Sequence, residues 1–391
     1  MRRDRQLGFR IEEFLELQQW KVMALGPDVP RAQAPDCPAD GTPLRTLVTF
    51  CDDAGRLPVR LGCCPDCGHI AYIDRPDRTW IDRYYLETWD AHDVDDRVDR
   101  RTQKMLVKAP KEKTVVKLVK ALPIDRARSV CEIGCGFGGS LLHLSQAGFT
   151  NMIGTDASKH RAESVRELLQ IPVLTAPFES DAAQGELAAR APFGAIVSNH
   201  VLEHTYAPDQ VFAAAAALQG PGDYFVLAVP NQEREPVMAV LMFLPHLHSF
   251  TRASMQTLAA RHGYAVVDDR YVVPKQLVFV FQKTTVTPAA VEVAPGVFDR
   301  AVERFARALH LDRRHVGRRR FWWKKRSGEV GQRWMFGRGG FEARRWQQEV
   351  ARKEYGETRS LAVTNLRRRH TSVGESPFEI QFRGPVSLFY K

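Results

Sequence analysis

Residues 129–142 read SVCEIGCGFGGSLL. An apolar run ending in Glu132 is followed by four glycines in six residues, Gly134, Gly136, Gly138 and Gly139. Glycine at that density costs folding entropy, so the backbone there must need positive φ angles or close approach to something. SVCEI reads as a short strand and GSLLHLSQAG as a helix closing on glycine, which puts the glycines in a strand-to-helix turn. Such a turn presents backbone N–H groups to a ligand at the carboxyl edge of a sheet. The spacing fits two patterns. Gly134, Gly136 and Gly139 satisfy the GxGxxG of dinucleotide sites, and Gly134, Gly136 and Gly138 after Glu132 satisfy another.

Outward from this turn the sequence alternates. TNMIGTD, IPVLTA, FGAIVSN and GDYFVLAVP read as further strands, and KHRAESVRELLQ, APDQVFAAAAALQ and TRASMQTLAARHG as helices, the last capped by Thr251. Strands separated by ten-residue helices imply right-handed crossovers and a largely parallel sheet. The last two strands, YAVVDDRYVV and LVFVFQK, are joined too closely for a crossover and should form an antiparallel hairpin at one edge. Asp156 ends the second strand beside the glycine turn. There a carboxylate accepts both hydroxyls of a ribose, whether the ligand is NAD or S-adenosylmethionine, and it can also cap the next helix.

Four segments in order, VCEIGCGFGGSLLHL, GTDAS, AIVSNHVLEH and GPGDYFVLAVPN, resemble a class I S-adenosylmethionine-dependent methyltransferase over about residues 125–285. The resemblance implies an α/β, Rossmann-like sheet of seven strands with an antiparallel edge hairpin. It implies that Glu132, Gly134, Gly136, Gly138, Asp156, Phe178, Glu179 and Asn199 bind the cofactor. The LEH of Leu202, Glu203 and His204 would open the next helix. Methyl transfer from a sulfonium is an in-line displacement, which needs alignment and exclusion of water rather than a catalytic metal. A base helps when the acceptor carries a proton. His200 at the end of the fourth strand, and His246 and His248 in FLPHLHSFT after the fifth, are the catalytic candidates.

Two short motifs precede this region, CPADG from Cys37 and CPDCG from Cys64. The second is a metal-binding knuckle, and the first looks like another with Asp40 in place of its later cysteine. Cys37, Asp40, Cys64 and Cys67 would give one structural, tetrahedral zinc, with Cys51, Cys63 or His69 as substitutes for Asp40. With CPDCGHIAYIDRPDRTWIDRYYLETWD ahead of the glycine turn, the chain is similar to the zinc-containing sugar C-methyltransferases and their relatives. That narrower resemblance implies that Tyr84 and Tyr85 cover the substrate. It also implies a Glu-His pair after the fifth strand, where this chain has Pro245-His246, so the acceptor atom stays open.

The chain has 391 residues, a formal net charge of +10 and 44% hydrophobic residues, enough for two or three domains. Four parts are expected: an arm at 1–30, a zinc-ribbon-like module at 31–95, a cofactor-binding domain at 96–285 and a basic α+β lobe at 286–391. From Arg313 to Lys391 there are 20 Lys and Arg against 7 Glu and no Asp, so the charge is concentrated in that lobe. No apolar run is long enough to span a bilayer, and seven cysteines grouped toward the front suit a reducing compartment, so a soluble cytoplasmic protein is expected. The basic lobe favours an anionic partner. A small acceptor containing phosphate or a linked sugar is the first reading, RNA the second, and a noncatalytic partner of the same fold the third. A homodimer is compatible with all three.

Overall fold

The computed structural model describes residues 30–33, 36–52, 59–88, 113–233, 246–269, 276–286, 288, 291–293, 295–305, 362–368 and 378–383. The expected arm and most of the basic lobe lie outside them.

The glycine turn leaves an interior strand of a seven-stranded sheet. That strand, β6 (Ser129–Ile133), is buried along its whole length, as a strand covered on both faces must be. It pairs in parallel with β7 (Met152–Thr155) on one side and β9 (Phe193–Asn199) on the other. β8 (Val173–Leu174) extends the first side, and β10 (Tyr224–Pro230) the second. The order is β12-β13-β10-β9-β6-β7-β8, with β12 (Tyr264–Asp268) at the edge and β13 (Gln276–Lys283) antiparallel to both its neighbours. The strand order reverses between β6 and β9. Loops leaving the carboxyl ends of these two strands therefore diverge and open a crevice.

Alternate residues pack on opposite faces, the period of two that a strand imposes. Phe225 and Leu227 of β10 and Phe279 and Phe281 of β13 enter one core, and Val226, Ala228, Val278 and Val280 the other. Helices α2 (Thr114–Ala121), α3 (Gly139–Gln146) and α4 (Lys159–Leu169) flank the sheet, followed by α5 (Asp181–Ala188), α6 (Pro208–Ala217) and α7 (Arg252–Arg261). Thr251 caps α7 as expected, within a reciprocal capping box with Ser254. The LEH segment corrects an expectation. It forms its own 3₁₀ turn, Leu202–His204, and α6 begins only at Pro208. The third strand is also shorter than expected, two residues rather than six.

The amino-terminal module holds β1 (Arg31–Gln33), β2 (Arg45–Asp52), β3 (Val59–Cys63), β4 (Ile70–Tyr72), β5 (Asp74–Pro76) and α1 (Arg78–Arg83). Its main sheet is not made from the front of the chain alone. The order is β11-β4-β3-β2-β15-β14, where β11 (His248–Ser249) comes from the cofactor-binding part, and β14 (Ala362–Arg368) and β15 (Phe378–Arg383) come from the basic part. Within the described residues SPFEIQFRGPVSLFYK supplies β15, and its antiparallel partner β14 is AVTNLRR. β15 lies parallel to β2, a pairing that local patterning does not announce.

Candidate active site

A cleft of about 900 Å³ opens where the sheet order reverses. Gly134 and Gly136 form its floor, with Thr155 and Asp156 at the tip of β7 and His200 and Val201 at the tip of β9. Gly134, Gly136 and Gly138 all have positive φ, of 61°, 56° and 73°. A Cβ on Gly134 would lie 2.5 Å from Val201 Cγ2, whereas one on Gly136 would meet nothing within 4 Å. The first glycine is thus needed for packing. The second leaves an open cradle beside Asp156, which suits a ligand that approaches the backbone closely.

Asp156 accepts the Gly136 N–H at 2.7 Å and the Ser158 N–H at 2.9 Å, one on each oxygen. Burial raises its pKa, and the Ser158 N–H, Arg161 and the Gly136 N–H oppose the rise. A carboxylate has about four acceptor positions, so two such bonds leave capacity for a pair of hydroxyls. Phe178 and Glu179 line the same cleft; Glu179 is held by Arg78 of α1 at 3.2 Å. Asn199 adjoins the lining residue His200 and Gly138 lies two residues beyond Gly136, and neither is itself in the lining.

Glu132 lies fully buried beneath the turn, and neither of its oxygens has a hydrogen-bond partner of good geometry. Burial raises its pKa from 4.5 to about 7, against the pull of Lys113 and the nearby Ser140 hydroxyl. An orphaned buried carboxylate under a ligand cradle is the partner that a cationic amino group would need. The raised value carries a sign. The folded chain keeps a proton that the unfolded chain releases, so this contribution is full below about pH 4.5 and is lost as pH rises through about 7. Glu132→Gln is therefore expected to be more stable than the parent near pH 8, by up to about 3 kcal/mol, and to converge on it in acid. Urea unfolding of the ligand-free protein at about pH 5 and about pH 8 measures it; an equal difference at both would remove the buried-charge explanation.

Helix α1 and the π-helical turn after it, Tyr84–Thr88, form the opposite wall, with Arg78, Arg83 and Tyr85 facing the cleft. The Tyr85 hydroxyl lies 3.1 Å from His204 Nδ1. Tyr84 is placed differently from its expectation. It is buried in the module and stacked on Trp80, and it does not line the cleft. His200 adopts the left-handed region at φ 59°, strained for a residue with a Cβ. Its Nδ1 lies 3.1 Å from Glu203 Oε1, and its Nε2 meets the Gln276 side-chain amide. Glu203 is 1% exposed. The His204 and His246 rings meet edge to face with centroids 4.6 Å apart. Sequence reading missed Glu203; only the fold carries His246 back beside it.

His248 also departs from expectation. Its backbone pairs with β4, and its buried ring lies 3.0 Å from His69 Nε2 through Nδ1. Burial drives His69 down to about 3 and holds His248 well below its ordinary value. His248 lines a separate cavity of about 330 Å³, with Arg75, whose guanidinium stacks on Tyr206 3.9 Å from the ring centroid.

The two knuckles come together as related turns. Gly41 N–H donates to Cys37 O at 2.8 Å and Gly68 N–H to Cys64 O at 3.1 Å, and both glycines have positive φ. The ligand atoms of Cys37, Asp40, Cys64 and Cys67 lie within 4.8 Å of one another. Cys37 and Cys67 Sγ are 3.5 Å apart, and Cys64 Sγ is 3.3 Å from Asp40 Oδ2. Zinc–sulfur bonds of about 2.3 Å in a tetrahedron place sulfurs about 3.8 Å apart, so the donor set and spacing fit such an ion. Cys63 and His69 are engaged elsewhere, Cys63 with the Cys64 carbonyl and His69 with His248; the Cys51 side chain lies outside the described residues. The knuckles dock on α7: Thr251 Oγ1 donates to Cys67 O at 2.7 Å and Arg261 to Pro38 O at 2.8 Å.

The sheet order, the glycine turn and the acid at the tip of β7 define a class I methyltransferase fold. Residues 91–269 match the family model described as a methyltransferase domain. No curated protein matches the sequence. Among solved structures, the chain is similar to an O-methyltransferase family protein from Burkholderia thailandensis at 16% identity and TM-score 0.39, over 51% of this chain. It spans 64% of the length of that protein. It is also similar to a TehB-like SAM-dependent methyltransferase from Corynebacterium glutamicum at 15% identity and TM-score 0.37, over 48% of this chain and 97% of that one. The magnesium protoporphyrin IX methyltransferase of Synechocystis PCC 6803 shares 15% identity at TM-score 0.34, over 53% and 96% of the two chains. Among the described residues, no helix is long and apolar enough to cross a membrane.

Proposed function

We propose that the chain transfers the methyl group of S-adenosylmethionine to a small anionic acceptor that carries phosphate or a linked sugar. The observation behind this is the shape of the cleft. One wall is the glycine turn and Asp156; the other is α1 with Arg83 and Tyr85. A walled space of about 900 Å³ is at the upper end of small-molecule sites and accommodates a nucleoside cofactor with a modest acceptor. Arg83 and Arg161 in that lining favour an acceptor with negative charge.

Within this reading the bound cofactor supplies an electrophilic methyl group on sulfur. Asp156 takes the ribose hydroxyls, and Glu132 compensates the amino end. Gly136 lets the ligand approach the backbone on a turn that Gly134 and Gly138 keep closely packed, Phe178 and Glu179 flank the adenine, and Asn199, next to His200, ends β9 on the sulfonium side. Tyr85 covers the acceptor. His200, oriented by Glu203, and His246 are the candidates to receive the acceptor's proton. Cys37, Asp40, Cys64 and Cys67 hold one structural zinc, whose full set of protein ligands leaves no position for substrate. The ribbon module, the cofactor domain and the basic lobe are units by sequence that share one interleaved sheet in the fold.

The test is to incubate the full chain with methyl-labelled S-adenosylmethionine and fractions of a cell extract. Label is expected in small anionic metabolites. Label in ribonuclease-sensitive polymer would instead assign the basic lobe to RNA. Cofactor binding without label in any fraction would make the chain a noncatalytic partner. Either result overturns the proposal.

A further inference from the structure

We propose that Glu203, His204 and His246 form a second metal site, for a divalent first-row transition ion, at the acceptor end of the cleft. The ligand atoms of the three side chains lie within 4.8 Å of one another. The chain builds this cluster from two distant segments. Glu203 and His204 come from the 3₁₀ turn after β9, and His246 immediately precedes β11. His204 lines the cleft, so an ion held there would face it.

The surrounding contacts orient the inner atoms. His200 Nδ1 lies 3.1 Å from Glu203 Oε1, while Glu203 Oε2 is buried with no hydrogen bond. Tyr85 engages His204 Nδ1, and His204 Nε2 lies 4.0 Å from Glu203, on the carboxylate side. Metal-binding imidazoles and carboxylates are commonly fixed in this way, the outer atom of each held by a hydrogen-bonding neighbour. The His204 and His246 ring centroids lie 4.6 Å apart, close enough for both rings to reach one ion through bonds of about 2.0–2.1 Å. Two imidazoles and one carboxylate suit a transition ion better than magnesium or calcium, and three protein ligands leave open positions.

Its role rests on the methyl-transfer reading. The ion would take a hydroxyl oxygen of the acceptor in an open position and lower its pKa, the O–H proton passing to water, so that with the ion bound His246 serves as a ligand and not as the base. The oxygen's electron pair then forms the O–CH₃ bond while the CH₃–S bond breaks and its pair stays on sulfur. This selects an oxygen acceptor.

Cobalt substitution separates this site from the cysteine site without reference to activity. The full chain is stripped of metal and titrated with Co²⁺. A cysteine site gives an intense thiolate charge-transfer band, and an imidazole–carboxylate site only weak visible bands. Two equivalents are expected to bind, one of each kind. His246→Ala and Glu203→Gln should each lose the weak-band equivalent, by at least about tenfold in affinity, and keep the thiolate band, which also reports an intact ribbon. Uptake of one equivalent by the parent, or a second equivalent undiminished in both variants, overturns the site. If methyl transfer itself is absent but the second equivalent is present and lost in the variants, the metal site stands and the function reading fails.

Discussion

Asp156→Ala is expected to weaken S-adenosylmethionine binding on the order of 100-fold. The carboxylate stands at the tip of β7 and is aimed at the cradle over Gly136. Hydrogen bonds to a charged acceptor contribute about 1.5–3 kcal/mol each, and losing the grip on two hydroxyls would remove at least one such contribution in full. A second cost accompanies it. Asp156 also takes the N–H groups of Gly136 and Ser158, so alanine leaves both donors without their partner and loosens the glycine turn. Asp156→Asn keeps one acceptor oxygen and should lose roughly tenfold, between parent and alanine. Calorimetric titration with the cofactor or its demethylated product measures both. Equal affinity for all three proteins would show that the acid serves the turn alone.

Cys64→Ser should produce the largest loss of stability. A structural zinc in a small ribbon contributes on the order of 10 kcal/mol to folding at neutral pH, since the assembled site is absent from the unfolded chain. Cys64 lies beside both Asp40 and the Cys67 backbone. Its loss should lower bound zinc from one equivalent to a small fraction and drop the unfolding midpoint of the module by roughly 10 °C or more. The effect should reach the cleft. Cys37, Cys64 and Cys67 belong to the same core as Phe250 and the sheet's aromatic face. The module they brace carries α1, the wall of the cleft opposite the glycine turn. Turnover should therefore fall further than cofactor affinity. Cys63→Ala is the control: Cys63 is buried next door, its sulfur turned to the Cys64 carbonyl, and its loss should leave the zinc in place. Elemental analysis and thermal unfolding decide the matter; zinc retained at one equivalent in Cys64→Ser would refute the ribbon assignment.

Some parts of this chain could be read directly from residue order and others could not. The strand-glycine-helix unit at 129–146 was legible because its determinants are local: a short, mostly apolar run buried along its whole length, then glycines at positive φ, then a helix closing on glycine. The knuckles were legible for the same reason. A cysteine pair with a following glycine specifies its own turn, and even the Cys-to-Asp change keeps a ligand of the right charge. His248 shows the opposite. Its neighbours in sequence resemble a substrate loop, yet β11 pairs with β4, and burial turns the ring into half of a neutral histidine pair. Tyr84 and Tyr85 are adjacent and differ in fate because one turn of helix directs successive side chains some 100° apart.

From residue order alone came the parallel sheet, the glycine turn, the acid at the strand tip and the cysteine knuckles, since each is specified by residues a few positions apart. Tertiary structure alone decided that the ribbon sheet takes strands from three parts of the chain, that α1 closes the cleft, and that Glu203 meets His246 across the loops. Those are contacts between distant segments. They are chosen by which surfaces can be buried together after the local elements exist, and no short stretch of sequence records that choice.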